Sequence, residues 1–139
     1  MAESSAGHAL AQRFYEAINA SSMDDLDEIL AAGVKGHAGT GPDLAGVKQA
    51  LSGFIAAFPD LVITTRHVVV EDDLVSTWVT YRGTHQGVFA GVPGTGREVR
   101  FAAWDLLRVE DDRVIEITQY CDLFTLLNQI GALPTTTPT

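Results

Sequence analysis

Between Phe58 and Leu61 the spacing of the apolar residues changes from that of helices to that of strands. Before this point, Leu10, Phe14, Ala17 and Ile18 recur at the three- and four-residue intervals of one helix face. Ser22 followed by Asp25 resembles a capping-box variant opening a second, short helix through Leu26, Ile29 and Leu30. Asp43 is placed to cap a third helix, with Leu44, Val47, Leu51, Phe54 and Ile55 on one side and Pro59 just past its end. After it, "LVITTRHVVVEDD" and "LVSTWVTYRGTH" are rich in β-branched and aromatic residues, with Glu71–Asp73 as the turn between them. A glycine-rich loop, "QGVFAGVPGTGR", leads to two more strands, Glu98–Val109 and Arg113–Cys121, joined at "EDD". A last short helix holds Phe124, Leu127 and Ile130. Helices followed by an antiparallel meander make this an α+β chain. With 139 residues and no repeat or linker, it reads as one domain, ordered over about residues 7–131, with a polar tail at 132–139.

Charge and cysteine content exclude several functions. The net charge of −9 argues against a nucleic-acid or anionic-membrane partner, because phosphate neutralisation needs clustered Lys and Arg. One cysteine, Cys121, rules out an intrachain disulfide framework and a multi-cysteine zinc site. The opening "MAESSAGHALAQ" lacks a basic segment followed by an apolar run, and no stretch approaches the length of a membrane span. The expectation is a soluble, cytoplasmic protein.

Alternation along the last two strands isolates two carboxylates. Phe101, Ala103, Asp105, Leu107 and Val109 share one face, so Asp105 stands alone among apolar side chains. A carboxylate taken out of water is costly unless paired, and burial moves its pKa toward values useful for acid–base work. A salt bridge from Asp105 to an arginine is the bland alternative. Asp122 immediately precedes "LFTLLNQIG", so capping the last helix competes with a functional role. The four histidines show no HxH or HExxH spacing, which leaves a metal site without local support. His37 falls in a loop reading, "VKGHAGTGP", and His85 ends a strand in "RGTHQG". The glycine-rich loop matches neither phosphate-binding pattern, and no helix follows it to supply a dipole.

Taken together, "GTHQGVFAGVPGTGREVRF", "DLLRVEDDRVIEITQYCD" and "LLNQIGA", with "FPDL" at 58–61, resemble the SnoaL-like polyketide cyclases of the nuclear-transport-factor-2-like superfamily. The resemblance implies a curved antiparallel sheet wrapped around the N-terminal helices. That α+β barrel is a cone with an internal apolar cavity. It implies intramolecular aldol ring closure on an aromatic polyketide-like substrate, with no metal and no cofactor. Asp122 matches the family's acid–base aspartate at the start of the C-terminal helix, and Asp105 stands where well-known cyclases carry histidine. Two carboxylates in one cavity are expected to share a proton. His37 and His85 are candidate polar contacts, and Trp104, Phe54, Phe58, Trp78, Tyr81 and Tyr120 candidate walls for a planar substrate. Relatives that hydroxylate anthracycline carbons without a cofactor supply an alternative reaction. A non-catalytic binder of hydrophobic ligands is a further reading. An epoxide-type hydrolase using Arg66 or Arg108 ranks last.

Neither face of the Leu74–His85 strand carries a charge before Arg82, and Glu98–Val109 is similar. A sheet wetted on one side should alternate more cleanly. A homodimer packed sheet against sheet is the expectation.

Overall fold

The computed structural model describes residues 2–133. Its elements run α1 (Ala2–Asn19), α2 (Met23–Ile29), β1 (Leu30–Ala38), α3 (Leu44–Ala57), β2 (Val62–Glu71), β3 (Leu74–Thr84), β4 (Glu98–Glu110), β5 (Arg113–Cys121) and α4 (Leu123–Gln129). The strands form a single sheet in the order β1-β5-β4-β3-β2. β2 to β5 are the antiparallel meander that the apolar pattern predicts, and β1 lies parallel to β5.

The fold is α+β, with a curved sheet and helices on its inner face. The sheet does not close on itself, so β1 and β2 are free edges rather than neighbours in a barrel. Register shifts at Leu30/Lys35, Thr65/His67 and Arg108/Val109 supply bulges of the kind that bend and twist strands. The third has a direct consequence. Arg108 pairs with Glu116 and Val109 with Val114, so Ile115 is the extra residue and the inward parity of β5 changes there. Val114 is buried before the bulge, and Ile117 and Gln119 after it.

β1 is absent from the sequence-based reading, which places His37 in a loop after a helix. Only Leu30 and Val34 of this strand are buried, an interval common to helix and strand, and both of its glycines weaken a strand signal. The helices follow their patterns more closely. Leu10, Phe14, Ala17 and Ile18 of α1 are all buried, and Asp43 caps α3 by accepting from the Gly46 N–H at 2.8 Å. Ser22 occupies the N-cap position of α2 but makes no side-chain capping bond. Asp111 and Asp112, between β4 and β5, both adopt positive φ (52° and 60°), which short polar side chains tolerate in two-residue hairpin turns.

α1 packs on β2 and β3, α3 on β1, and α4 on β4. The Asn19 amide fastens the end of α1 to the sheet edge, donating to the Ile63 carbonyl (3.0 Å) and accepting from its N–H (2.7 Å). This bracket fixes how α1 lies over the sheet, and hence where Tyr15, one turn earlier, points. Among the described residues no helix is long and apolar enough to cross a membrane. All but the first two residues of the expected tail, 134–139, lie outside the described residues.

Candidate active site

Three polar side chains stand in a row across the inner face of three strands. Thr77 of β3 is the register partner of Asp105 on β4, and Asp105 is the partner of Gln119 on β5. All three are buried: Thr77 and Asp105 are 1% exposed and Gln119 6%. Each occupies an inward position in a strand whose other inward residues are mainly apolar, so alternation alone carries them into the interior.

Tyr15 reaches this row from α1. Its hydroxyl donates to Asp105 Oδ2 at 2.5 Å and lies 2.5 Å from Thr77 Oγ1. The phenol has one hydrogen, and that hydrogen goes to Asp105, so Thr77 is the donor in its contact with Tyr15. Gln119 donates its amide to the Tyr81 hydroxyl at 3.0 Å. Asp105 Oδ1 is left buried with no hydrogen-bond partner.

The electrostatics follow from this arrangement. Burial raises the Asp105 pKa to about 6, and hydrogen bonding from Tyr15 and then from the Gln119 amide, which is close but outside good hydrogen-bond geometry, pulls against it. The Tyr15 hydroxyl is raised well above its ordinary value by burial and then by the neighbouring carboxylate, so it remains a proton-bearing donor. Burial raises Tyr81 in the same way. Asp105 therefore changes charge close to neutral pH, in the interior, with no cationic partner among its hydrogen-bonding neighbours. That combination marks a group able to both take and return a proton.

Beside Gln119 is an interior void lined by Phe14, Val47, Leu51, Phe54 and Ile117. Its volume is about 10 Å³, which is room for about one water. This void is far smaller than the expected deep cavity. Pockets for drug-sized ligands run to about 300–1,000 Å³, so a polycyclic ligand requires these side chains to move. A wider recess, about 450 Å³, is a surface groove bordered by Asp72, Asp73, Glu110 and Asp111. Its four carboxylates suit neither an apolar ligand nor a proton shuttle in a dry site.

Several sequence-based candidates lie elsewhere. Asp122 is the N-cap of α4: it accepts from the Thr125 N–H (3.0 Å) and the Thr125 hydroxyl (2.6 Å). Those two bonds lower its pKa, the opposite of Asp105. Neither carboxylate perturbs the other, so the expected proton-sharing pair does not form. His37 is exposed on β1, where it meets Glu116 at 2.8 Å on the outer surface. Trp78, Trp104 and Tyr120 are exposed on the outer face, with the Trp78 and Trp104 rings stacked at 5.5 Å. The alternation that turns Asp105 inward necessarily turns Trp104 outward, so these three rings are not walls of the interior.

Phe54, Phe58 and Tyr81 do lie inside. Phe54 is the hub, 5.6 Å from Tyr81, 6.2 Å from Phe101 and 5.4 Å from Phe89. His85 is fully buried, but its Nδ1 accepts from the Thr95 N–H at 3.3 Å and its ring lies 5.7 Å from Phe58. His85 thus pins the glycine-rich loop through Nδ1, while its buried Nε2 is left without a hydrogen-bond partner. Arg108 pairs with Asp73 (2.8 Å) and Glu116 (3.2 Å) on the outside, and Arg66 bonds the Thr80 hydroxyl, so neither joins Asp105. Among the described residues, no three His, Cys, Asp or Glu side chains gather as a metal would require.

Tyr15, Thr77 and Gln119 were not among the sequence-based candidates. The available signal was the one that isolates Asp105: a polar residue on an otherwise apolar face. Thr77 shares the parity of Val75, Val79 and Tyr81, and Tyr15 adjoins Phe14 on the buried side of α1.

Comparison with known proteins agrees with this architecture. The SnoaL-like polyketide cyclase family profile matches residues 9–130. The chain is similar to the crystal structure of IdmH, a proposed polyketide cyclase from Streptomyces antibioticus. The identity is 32%, the coverage 90% of this chain and 98% of that one, and the TM-score 0.80. It is also similar to AclR, a proposed hydroxylase from Streptomyces galilaeus, at 26% identity, with 94% and 88% coverage and a TM-score of 0.85. TsrD from Streptomyces laurentii matches at 25% identity, with 93% and 97% coverage and a TM-score of 0.84. No curated protein sequence matches the chain.

Proposed function

The chain belongs to the SnoaL-like polyketide cyclase family, and on that footing we propose that it is an enzyme performing acid–base chemistry on an activated carbon of an aromatic polyketide. The observation that carries this reading is the single buried, unpaired oxygen of Asp105 at the inner face of the sheet. In an aldol ring closure Asp105 Oδ1 removes a proton from a carbon flanked by carbonyl groups. The resulting carbanion attacks a second carbonyl of the same molecule, forming a C–C bond. The alkoxide so formed recovers the proton from Asp105, so the carboxylate is regenerated and no atoms are gained or lost. The substrate's own conjugation spreads the negative charge, and Phe54 and Tyr81 offer ring surfaces near the void. Asp122, with both oxygens engaged by Thr125, is assigned the structural role of helix cap.

A hydroxylase is the second reading, supported by the similarity to AclR. The same deprotonated carbon would then bond to dioxygen instead of a carbonyl, giving a hydroperoxide (R–H + O2 → R–OOH) that an added two-electron reductant such as a thiol converts to the alcohol and water. Incubation with an anthraquinone-type methyl ester separates the two. Cyclisation conserves the substrate mass, whereas oxygenation requires dioxygen and adds two oxygen atoms, or one when a thiol reductant is supplied. Absence of turnover with any such compound, together with unaltered ligand binding by Asp105→Asn, would replace catalysis with ligand storage.

The outer sheet face supports a homodimer. Trp78, Trp104, Leu106 and Tyr120 are adjacent across β3, β4 and β5 and between 40% and 66% exposed, an apolar concentration uncommon on monomers. Trp104→Asp should then lower the mass seen by light scattering at micromolar concentration from twice 14.9 kDa to that of one chain. A wild-type protein already at the single-chain mass would remove the proposal.

A further inference from the structure

Asp105 has two oxygens in different circumstances, and the difference is built by one residue. We propose that Tyr15, itself held by Thr77, is a positioning residue that keeps Asp105 Oδ2 occupied and so reserves Oδ1 as the atom that exchanges a proton with the ligand. This rests on the acid–base reading of Asp105 given above.

The geometry makes the assignment for the ionised carboxylate, the form that removes a proton. Oδ2 receives the Tyr15 hydrogen at 2.5 Å, and Thr77 fills a lone pair of the same phenol oxygen at 2.5 Å. With that hydrogen pointed at Oδ2, Oδ1 is the oxygen better placed to take an added proton, since a proton on Oδ2 would require Tyr15 to turn its hydrogen to Thr77 and Thr77 to turn its own to the Asp105 carbonyl at 3.5 Å. With the carboxylate ionised, no donor meets Oδ1 in good hydrogen-bond geometry, although the Gln119 amide lies close enough to favour the charged form. Proton removal from the ligand and proton return to it are therefore favoured at one atom, and a fixed atom keeps both steps in one geometry. Without the Tyr15 hydroxyl the two oxygens would become equivalent by a half-turn of the carboxyl group.

Titratable groups near Asp105 do not offer another explanation. Tyr15 approaches from α1, Tyr81 from β3 and Cys121 from β5, and all three are raised by burial, so each is neutral at pH 7. Thr77 and Gln119, the strand neighbours on either side, do not ionise. Tyr15 is the hydroxyl that donates directly to the carboxylate. Its removal should make the charged form of Asp105 less favourable while leaving its burial unchanged.

The experiment follows the Asp105 carboxyl carbon by NMR against pH in protein labelled with ¹³C-aspartate, the resonance being identified by its loss in Asp105→Asn. The wild-type midpoint is expected at about 6. Tyr15→Phe, which keeps the ring, should raise it by about one pH unit, the effect of losing one donor to the charged form. Thr77→Val, which weakens Tyr15 as a donor, should raise it by less. A Tyr15→Phe midpoint at or below the wild-type value would overturn the positioning role. If Tyr15→Phe does not fold, Thr77→Val decides: an upward shift supports the proposal and an unchanged midpoint overturns it. A wild-type midpoint among those of the exposed aspartates would instead defeat the acid–base reading itself, a separate failure visible before any variant is made.

Discussion

Asp105 and Asp122 flank the same hairpin and carry the same side chain, yet their surroundings oppose each other at every step. Asp105 is on the concave face, 1% exposed, with one oxygen bonded and one free. Asp122 is at the rim where β5 passes into α4, half-buried, with both oxygens bonded to Thr125. Burial raises the first and hydrogen bonding lowers the second. The contrast teaches that surroundings can give two aspartates of one hairpin opposite affinities for protons. The acid–base role proposed above calls for a raised affinity for protons and an oxygen that no strong donor holds. Only Asp105 has both.

The sharpest way to break the comparison is activity. Asp105→Asn should lower product formation by about 10²- to 10⁴-fold, the usual contribution of a positioned acid–base group. Asp122→Asn should stay near wild type, because an asparagine oxygen still caps a helix. The reverse ranking in a steady-state assay would transfer the chemistry to Asp122. In the wild type, kcat/KM should rise with pH through about 6 as Asp105 ionises into its base form.

Stability against pH sharpens the contrast without needing a substrate. An aspartate has a pKa of about 3.9 in an unfolded chain. The folded value for Asp105 is about 6, so between these pH values the native state binds more protons than the unfolded state. Stability therefore falls as pH rises through that window, by on the order of 3 kcal/mol from this one group. Denaturant titrations at pH 4.5 and 7 should show the loss, and Asp105→Asn should remove most of it. Asp122 acts with the opposite sign: its lowered folded pKa contributes stability that is present above the unfolded value and lost as pH falls.

The smallest effect belongs to the cap itself. Asp122→Ala leaves the first turn of α4 without its acceptor and should lower Tm by a few degrees. Thermal melts at pH 7 measure this directly. A drop above about 15 degrees would mean that Asp122 holds more than its helix.

Much of this architecture was legible in the chain. The helix faces of α1 and α3, the Asp43 cap, the meander and the inward turn of Asp105 all follow from spacing, because local periodicity and nearest-neighbour hydrogen bonds decide them. β1 was not legible. Its two buried residues sit at an interval that helices also use, and its strand identity comes from β5, whose residues are far away in the chain.

The site divides along the same line. Alternation by itself set Asp105 on an apolar face and Trp104 on the opposite one. Which of those faces would be covered by α1 and α3, and which left to solvent, depended on contacts between elements remote in sequence. Tyr15 and Asp105 are 90 positions apart, and only the laying of α1 across β3 brings the phenol to the carboxylate. The family resemblance singled out Asp122, whereas packing gave that residue to Thr125 and left a free oxygen on Asp105. Periodicity is a property of the backbone's own geometry and can be read from one strand. An unpartnered oxygen is a property of everything around it, so only the assembled fold could reveal it.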